Sequence, residues 1–595
     1  MSIRNVYLFG QGVVPGIVIG RAHLIQGANQ YTWTQRHIAP EETTDEIERL
    51  RQAVVTSWQQ LEDIKEQLAG DSKDPGHILE AHQMMLRDQD LQSSIEKIIV
   101  SERVNAEWAV LRTLGIWEER FLRIENEYIR ERFSDLRFVC TRLLRTLAGL
   151  AAIEVMAPPP DAIIIAQELS PADTILLGRN AVAGLITVRG GKTSHTVIIA
   201  KAFEIPTVVG VSRAFEHVGE GDLLVLNGHK GEIIVNPDAK LVSVYRAQSH
   251  RLIAKDQALL EKAHLPGMTA DGTLVHVLAN LDFAEEIIKA KGHGAEGIGL
   301  YRTEFLFMIH EKDIADEQVH FQDVRALLER WPGGGPVTLR TFDLGGDKFP
   351  LTAQLAREAN PALGQRSLRL ALAHPHIFKA QLRGFLRAFA LFPHVDLRIM
   401  FPLVCSVREF QTAREILCEC YRELLIEGHE IPDTFKIGAM LELPASLMIA
   451  DMLARECQFF SIGSNDLIQY ALAVDRGNEK VAHMYRGLHP GILRMIRHAI
   501  RAANEAGVDI SICGDLATEP IPALILLGLG LRSFSMPPVF IPYAKDFLRT
   551  VHIREIEELT AHALTLPCAD DIEAFMRASL GNRLQDTFWS EISEK

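Results

Sequence analysis

The 595-residue chain has no long apolar run: its longest uninterrupted stretch, Ala523 to Leu531, has nine residues and contains two glycines. Roughly 18 consecutive apolar residues are needed to suggest a membrane-spanning helix, so no membrane insertion is expected. Met1-Ser2-Ile3-Arg4 leads into no apolar signal core, which argues against export. Cysteine is scarce, with seven residues and no CxxC pair, which disfavours a disulfide framework and structural zinc. A reduced, cytoplasmic setting follows as the expectation. Basic charge is also short: 62 Lys and Arg face 77 Asp and Glu, for a formal net charge of -15. An acidic surplus opposes binding to nucleic acid or anionic lipid and favours a basic protein partner. What is present is ordinary for a globular protein, 47% hydrophobic and 23% charged residues. The length suggests roughly four domains, of which a barrel would take two shares.

Residues 6–23 alternate small and apolar side chains around Gly12, Pro15, Gly16 and Gly20, the pattern of short strands and turns. From 41 to 147 the spacing changes to three and four: Ile47, Leu50, Val54, Trp58, Leu61, Ile64 and Leu68, then Leu91, Ile95, Ile98 and Ile99. That spacing predicts a bundle of three or four helices. Strand-like runs return at 162–166, 223–227 and 232–236. The simplest topology is an α/β domain of 1–23 and 148–236, with the helical segment 24–147 inserted. Residues 238–263 read as one polar helix ended by Pro266-Gly267, a connecting element (237–266) and candidate hinge. Beyond it, apolar runs at 273–280, 296–302, 336–342, 397–403, 436–441, 458–463, 508–513 and 530–535 alternate with helical segments. Eight such units predict a (β/α)8 barrel over 267–595. An open doubly wound sheet is the alternative, but no glycine-rich dinucleotide fingerprint follows the first strand.

Gly190-Gly191-Lys192-Thr193-Ser194-His195-Thr196 follows the apolar run 183–188 and precedes a helical pattern from Val197 to Phe203. Glycines let backbone N–H groups approach an anion, and a helix N-terminus adds about half a positive charge. An imidazole placed there, with hydroxyl neighbours Thr193 and Ser194, can accept a phosphoryl group. The same residues also suit a plain polar helix cap. In the barrel, chemistry belongs at the C-terminal strand ends, and those ends carry Arg302, Arg340, Glu442, Asn465-Asp466 and Cys513. Arginines grip phosphate and carboxylate oxygens bidentately, and two carboxylates on adjacent strands are hard ligands for Mg2+. An ion-pair network across the rim would use the same residues.

Two of these segments, Gly190–His195 with Ile205-Pro206 and Gly297-Ile298-Gly299-Leu300-Tyr301-Arg302-Thr303-Glu304-Phe305, resemble the enzyme I family of the bacterial phosphotransferase system. Phe460-Ser461-Ile462-Gly463-Ser464-Asn465-Asp466-Leu467, Ala473-Val474-Asp475-Arg476 and Cys513-Gly514 are similar to further signatures of that family, in its order and over essentially the whole chain. The resemblance implies a swivelling phosphohistidine α/β domain with an inserted helical bundle, followed by a TIM-type barrel. It implies transfer of phosphate from phosphoenolpyruvate to His195 and on to the phosphocarrier protein HPr, with Mg2+ as cofactor and a homodimer formed through the barrel. By motif position Arg302, Arg340, Asn465, Asp466, Arg476 and Arg366 would hold phosphoenolpyruvate, and Glu442 with Asp466 would bind the metal. Cys513 would protonate the enol carbon; its plain reading is a small buried hydrophobe. Ser170, where the family commonly has Thr, would cap a helix beside the histidine.

Departures from the family pattern are modest: Lys192 stands for a common Arg, Leu443 for a smaller residue, and Asp515 for a common Glu. The implied carrier surface on the helical insert comprises Asp74, Glu80, His82, Met84, Met85, Leu86, Asp88 and Asp90, with Lys73 and Arg87 where acids are usual. Two related readings stay open. One is the nitrogen-type regulatory branch, which commonly carries an added N-terminal sensory domain. The other is a dikinase or phosphoenolpyruvate synthase, which needs a nucleotide-grasping domain ahead of the histidine.

Overall fold

The computed structural model describes residues 5–25, 34–68, 82–122, 127–149, 158–159, 161–169, 173–174, 177, 182–189, 196–197, 200, 203, 205–284, 286–304, 306, 315–331, 334–345, 360–476, 478, 480–581 and 583. The chain forms two compact units that divide between Ala254 and Lys255.

The first unit is built on an eight-stranded sheet. Its strands are β1 (Val6–Phe9), β2 (Gln11–Val14), β3 (Ile17–Ile25), β4 (Ala162–Ala166), β5 (Gly184–Thr187), β6 (Thr207–Val209), β7 (Leu223–Asn227) and β8 (Glu232–Val235). They lie in the order β1-β8-β7-β3-β4-β5-β6-β2. The central strands β3 to β6 run parallel, and the flanking pairs are antiparallel. All five residues of β4 are buried, because the sheet is covered on both faces. The two-residue period sends Ile163 and Ile165 into one core and Ile164 and Ala166 into the other.

Between β3 and β4 the chain makes the helices Thr43–Leu68, Gln89–Ile98, Ala106–Leu122 and Glu127–Leu147. Leu50, Val54, Leu61 and Ile64 meet Leu91, Ile95, Val110, Val139 and Leu143 in their shared core, as the three-and-four spacing predicts. Phe203 packs against both this core and the α/β core, and Arg137 pairs with Glu168.

The second unit is a closed barrel of eight parallel strands: β9 (His276–Leu281), β10 (Ile298–Tyr301), β11 (Pro336–Arg340), β12 (Asp396–Phe401), β13 (Lys436–Leu441), β14 (Phe459–Gly463), β15 (Asp509–Cys513) and β16 (Ser533–Met536). β16 closes on β9 with Phe534 opposite Val277. All eight apolar runs of the sequence become strands. The largest shifts are at the starts of β9 and β16, where the chain is still in turns around Gly272 and Gly530, both at positive φ. Leu300, Met400, Met440, Phe459 and Cys513 pack together inside the barrel. Among the described residues no helix is long and apolar enough to cross a membrane.

The helix Ala239–Lys262 spans the boundary between the units. In the first unit Tyr245 donates to Glu232 (2.7 Å) and Ser249 to the Ile17 carbonyl (2.8 Å). In the second unit Tyr543 bonds Asp256, and Lys545 collects the chain just past the helix end. The Lys545 ammonium is buried and donates to the carbonyls of Ala263 (3.2 Å), Leu265 (2.9 Å) and Gly294 (2.6 Å), with Glu296 at 3.0 Å. A buried ammonium is tolerable only when its three protons are used and its charge is matched, as here. Lys545→Met strands three carbonyls and a carboxylate, and should destabilise the barrel unit by about 3 kcal/mol. Urea unfolding followed by circular dichroism checks this: the transition of the barrel unit moves to lower urea and that of the first unit stays in place.

Candidate active site

Strand ends point their last side chains at one rim of a barrel, and here that rim is densely charged. Arg302 follows β10 directly, and its guanidinium donates to Asp282, the residue after β9, at 3.0 Å. Arg340 ends β11, is 8% exposed, and pairs with Glu304 (3.0 Å) and Asp343 (3.5 Å). Arg366 reaches the rim from a loop whose backbone bridges Gly345. It pairs with the same Asp343 (2.9 Å) and with Asp466 (3.0 Å), and donates to the Tyr470 hydroxyl (2.9 Å). Burial by itself disfavours the charge on Arg340 and Arg366, but their carboxylate partners outweigh it and hold both above the ordinary arginine range. Asp282 does the same for Arg302.

Glu442 follows β13 and is almost fully buried, with one carboxylate oxygen accepting the Leu403 N–H. Burial, then the neighbouring charges of Asp466 and Asp343, push its carboxyl up to about 8. Such a group gains from a proton or a cation beside it. The last residue of β14, just before the helix Ser464–Leu472, is Gly463, where a Cβ would lie 2.7 Å from Glu442 Oε2 and 2.9 Å from Glu442 Cβ. A side chain there would displace the carboxylate.

Asn465 and Asp466 occupy the first turn of that helix. The Asn465 side-chain oxygen accepts the Asp515 N–H (2.9 Å) and its backbone carbonyl accepts the Tyr485 hydroxyl (2.9 Å). The carboxamide is thus held by its acceptor end, and its NH2 is the end left to donate to a ligand. Arg476 is exposed and bonds Tyr485, so it belongs to the same chain of contacts. Cys513 ends β15, buried; its sulfur accepts from the Ser461 hydroxyl (3.4 Å) and lies 3.7 Å from the Ile462 carbonyl. Burial pushes the thiol up, so it stays protonated at neutral pH.

The strand-end residues read from the sequence therefore meet at one rim: Arg302, Arg340, Glu442, Asp466, Asn465 and Cys513, joined by Arg366 and Arg476. Asp282, Glu304, Asp343, Tyr470, Tyr485 and Ser461 were not assigned in the sequence. The first three lie within three residues of a strand end, the signal that marked the others.

His195, Thr193, Ser194 and Ser170 lie outside the described residues, as do Asp74 and Glu80. The flanking Thr196 and Leu169 are described, and the Thr196 hydroxyl donates to the Leu169 carbonyl (3.0 Å), which brings the two segments side by side. On the helical insert Met84, Asp88 and Asp90 are exposed and Met85 is half-buried. His82 and Leu86, expected on the same surface, are instead buried in the helical core, since they sit on the opposite side of that turn from Met84. Asp88 caps the helix Gln89–Ile98 by accepting from the N–H groups of Asp90 and Leu91.

Rim and barrel define the class: a (β/α)8-barrel enzyme with arginines and carboxylates gathered at its strand ends. Three family models match the chain: PEP-utilising enzyme, N-terminal (9–132), PEP-utilising enzyme, mobile domain (158–231), and PEP-utilising enzyme, PEP-binding domain (256–553). A phosphoenolpyruvate-protein phosphotransferase of Geobacillus stearothermophilus is 38% identical over 577 residues, 97% of this chain and 98% of the relative. The corresponding protein of Bacillus subtilis is 35% identical over 96% of this chain and 99% of its own length. The NMR solution structure of an Enzyme I protein (nEIt) is similar at 33% identity and a TM-score of 0.36, over 41% of this chain and 99% of that one. The chain belongs to the phosphoenolpyruvate–protein phosphotransferases, the enzyme I family of the bacterial phosphotransferase system.

Gly463→Ala tests whether the rim geometry matters to this activity. Displacing Glu442 by about 1 Å should lower phosphoenolpyruvate-dependent phosphorylation of the enzyme about a hundredfold. Stopped-flow or quenched labelling reads that loss, and thermal unfolding should report a folded barrel.

Proposed function

We propose that the chain takes the phosphoryl group of phosphoenolpyruvate onto His195 and passes it to HPr, in the cytoplasm, as the entry step of sugar uptake. The observation that carries this reading is the rim itself, where three arginines and two buried carboxylates meet beside a buried, protonated thiol. Arg302, Arg340 and Arg366 bind the phosphate and carboxylate oxygens of the substrate, exchanging part of their present carboxylate partners for it. Asn465 donates from its NH2 group, and Arg476 closes the outer side. These contacts hold phosphorus in line with a neutral ring nitrogen of His195. Phosphoryl transfer needs little more than such positioning and charge neutralisation. As the N–P bond forms, the P–O bond breaks and the electron pair goes to the enolate oxygen. Cys513 then gives its proton to the enolate carbon, and the resulting ketone makes the forward transfer favourable.

The donor set fits Mg2+. Glu442 and Asp466 are hard oxygen ligands, and the crowding that raises Glu442 is what a cation relieves. Among the described residues no cluster of three such side chains occurs, so substrate oxygens and water would supply the remaining ligands at a two-carboxylate site. Bound there, the metal would neutralise the phosphoryl oxygens.

By this reading residues 1–23 and 148–236 form the phosphohistidine domain and 24–147 the carrier dock. Residues 237–266 form the connecting helix and 267–595 the substrate barrel, through which two chains pair. The exposed Met84, Asp88 and Asp90 present an acidic and apolar face suited to a basic carrier. Labelled phosphoenolpyruvate, offered with HPr, with a nitrogen-type carrier and with ATP, separates this function from its two relatives. Transfer to HPr without ATP is the expected outcome.

His195→Ala should abolish acid-labile, base-stable labelling from phosphoenolpyruvate; stoichiometric labelling of the variant would overturn the assignment. Glu442→Gln and Asp466→Asn separate the half-reactions. Each should remove Mg2+-dependent labelling by phosphoenolpyruvate, while phosphorylated HPr still returns its phosphate to His195. Equal failure of both half-reactions would place the two carboxylates outside the substrate site.

A further inference from the structure

The barrel interior holds a hydroxyl that packing alone does not call for. Ser461 lies on β14 between Phe459 and Gly463, and the two-residue period of a strand puts all three on one face. Phe459 lines the interior with Leu300, Met400, Met440 and Cys513, so Ser461 faces the same largely apolar layer, 1% exposed. An alanine would fill that space without an alcohol to satisfy, and burying an unbonded hydroxyl is unfavourable. Ser535, elsewhere inside the barrel, meets that need with a neighbouring carboxamide, donating to Asn280 at 2.6 Å. Ser461 instead donates to the sulfur of Cys513.

Strand register makes this pairing possible. β14 and β15 run parallel with Gly463 opposite Cys513. From that position the sulfur leans back along β14, 3.4 Å from the Ser461 hydroxyl. The thiol therefore has two fixed neighbours. It receives a hydrogen bond from Ser461, and its own S–H, a weak donor, lies 3.7 Å from the Ile462 carbonyl.

We propose that Ser461 is a positioning residue for the closing proton transfer, its hydroxyl aiming the Cys513 thiol and stabilising the sulfur anion left behind. The inference rests on Cys513 being the acid of the reaction. In that step the S–H bond breaks and its electron pair stays on sulfur. The electron pair of the enolate double bond forms the new C–H bond, and the enolate oxygen becomes the ketone oxygen. The Ser461 O–H bond stays intact throughout and points at the atom where charge appears. In the reverse direction the same thiolate removes a proton from the pyruvate methyl group, again with Ser461 donating to it. Nothing in this role touches phosphorus, so the residue should separate protonation from phosphoryl transfer.

The experiment uses the full-length chain as wild type, Ser461→Ala, Ser461→Gly and Cys513→Ala. One assay follows return of phosphate from the phosphorylated enzyme to pyruvate, which needs the thiolate to act as base. The second follows single-turnover labelling by phosphoenolpyruvate, in which an enol product can leave and ketonise in water. Both serine variants should slow the return to pyruvate about tenfold or more, a loss of the size that positioned proton transfer supplies. Single-turnover labelling should fall by less than about threefold and KM for phosphoenolpyruvate should change by less than about twofold, because binding and phosphoryl transfer are untouched. If return to pyruvate is unchanged in Ser461→Ala but lost in Cys513→Ala, the role given to Ser461 is wrong and that of Cys513 stands. If Cys513→Ala also leaves return intact, the assignment of the acid fails. Parallel losses in return, labelling and KM, with a lowered unfolding midpoint, would make Ser461 a packing residue and overturn the proposal.

Discussion

Asp343 is the charge on which the rim depends. It is nearly buried and lies within ion-pairing distance of both Arg340 and Arg366. Without it two guanidiniums would share a low-dielectric space with Glu304 on one side and Asp466 on the other, and nothing between them. Buried charges of one sign are tolerated only as members of a balanced set, and removing one member leaves the rest uncompensated. The set is balanced but not relaxed. Glu442 sits beside Asp466 and Asp343 with its carboxyl held far above the usual carboxylate range. The rim thus has positive groups already oriented for an anion and a carboxylate that favours a neighbouring cation. Pre-orientation of this kind lowers the reorganisation needed when charge moves in the reaction.

The barrel supplies the rigidity that such a set requires. Apart from Arg366 and Arg476, each charged group of the rim is attached within a few residues of a hydrogen-bonded strand end. Residues that hold the groups in place are themselves constrained: Gly463 by the closeness of Glu442, Asn465 by the Asp515 N–H and the Tyr485 hydroxyl. Below the rim, Leu300, Met400, Met440 and Phe459 fill the interior and exclude water from the thiol. Low dielectric strengthens each pairing above and keeps Cys513 protonated below. The same burial therefore has both effects.

The connecting helix has a different logic. Its first half is bonded to the sheet unit through Tyr245 and Ser249, and its end to the barrel unit through Asp256 and the Lys545 cluster. Each half is thus secured by side chains of the unit to which it belongs. The helical insert shows a similar economy. Asp88 is exposed and acidic, yet it also holds the start of a helix, so its charge and its capping cannot be varied independently.

Much of this was present in the sequence, because local periodicity states which residues must be buried. Eight apolar runs separated by helical segments specified the barrel, and the residues at five of their ends specified the rim. Three-and-four spacing specified the helical insert, and a polar helix ended by Pro266-Gly267 the connector. Pairing was not present. Asp343 serves Arg366, 23 positions away, and Arg366 serves Asp466, a further 100 positions along. Ser461 and Cys513 are 52 apart and meet only because β14 and β15 align Gly463 with Cys513. His82 and Leu86 belong to the same short helical stretch as the exposed Met84, and only docking against the neighbouring helices decided that they turn inward. Composition and spacing determine which faces avoid water, because that preference is local to each residue. Which carboxylate meets which arginine, and which hydroxyl meets the thiol, depends on strand register and barrel closure, and those are settled by the whole tertiary fold at once.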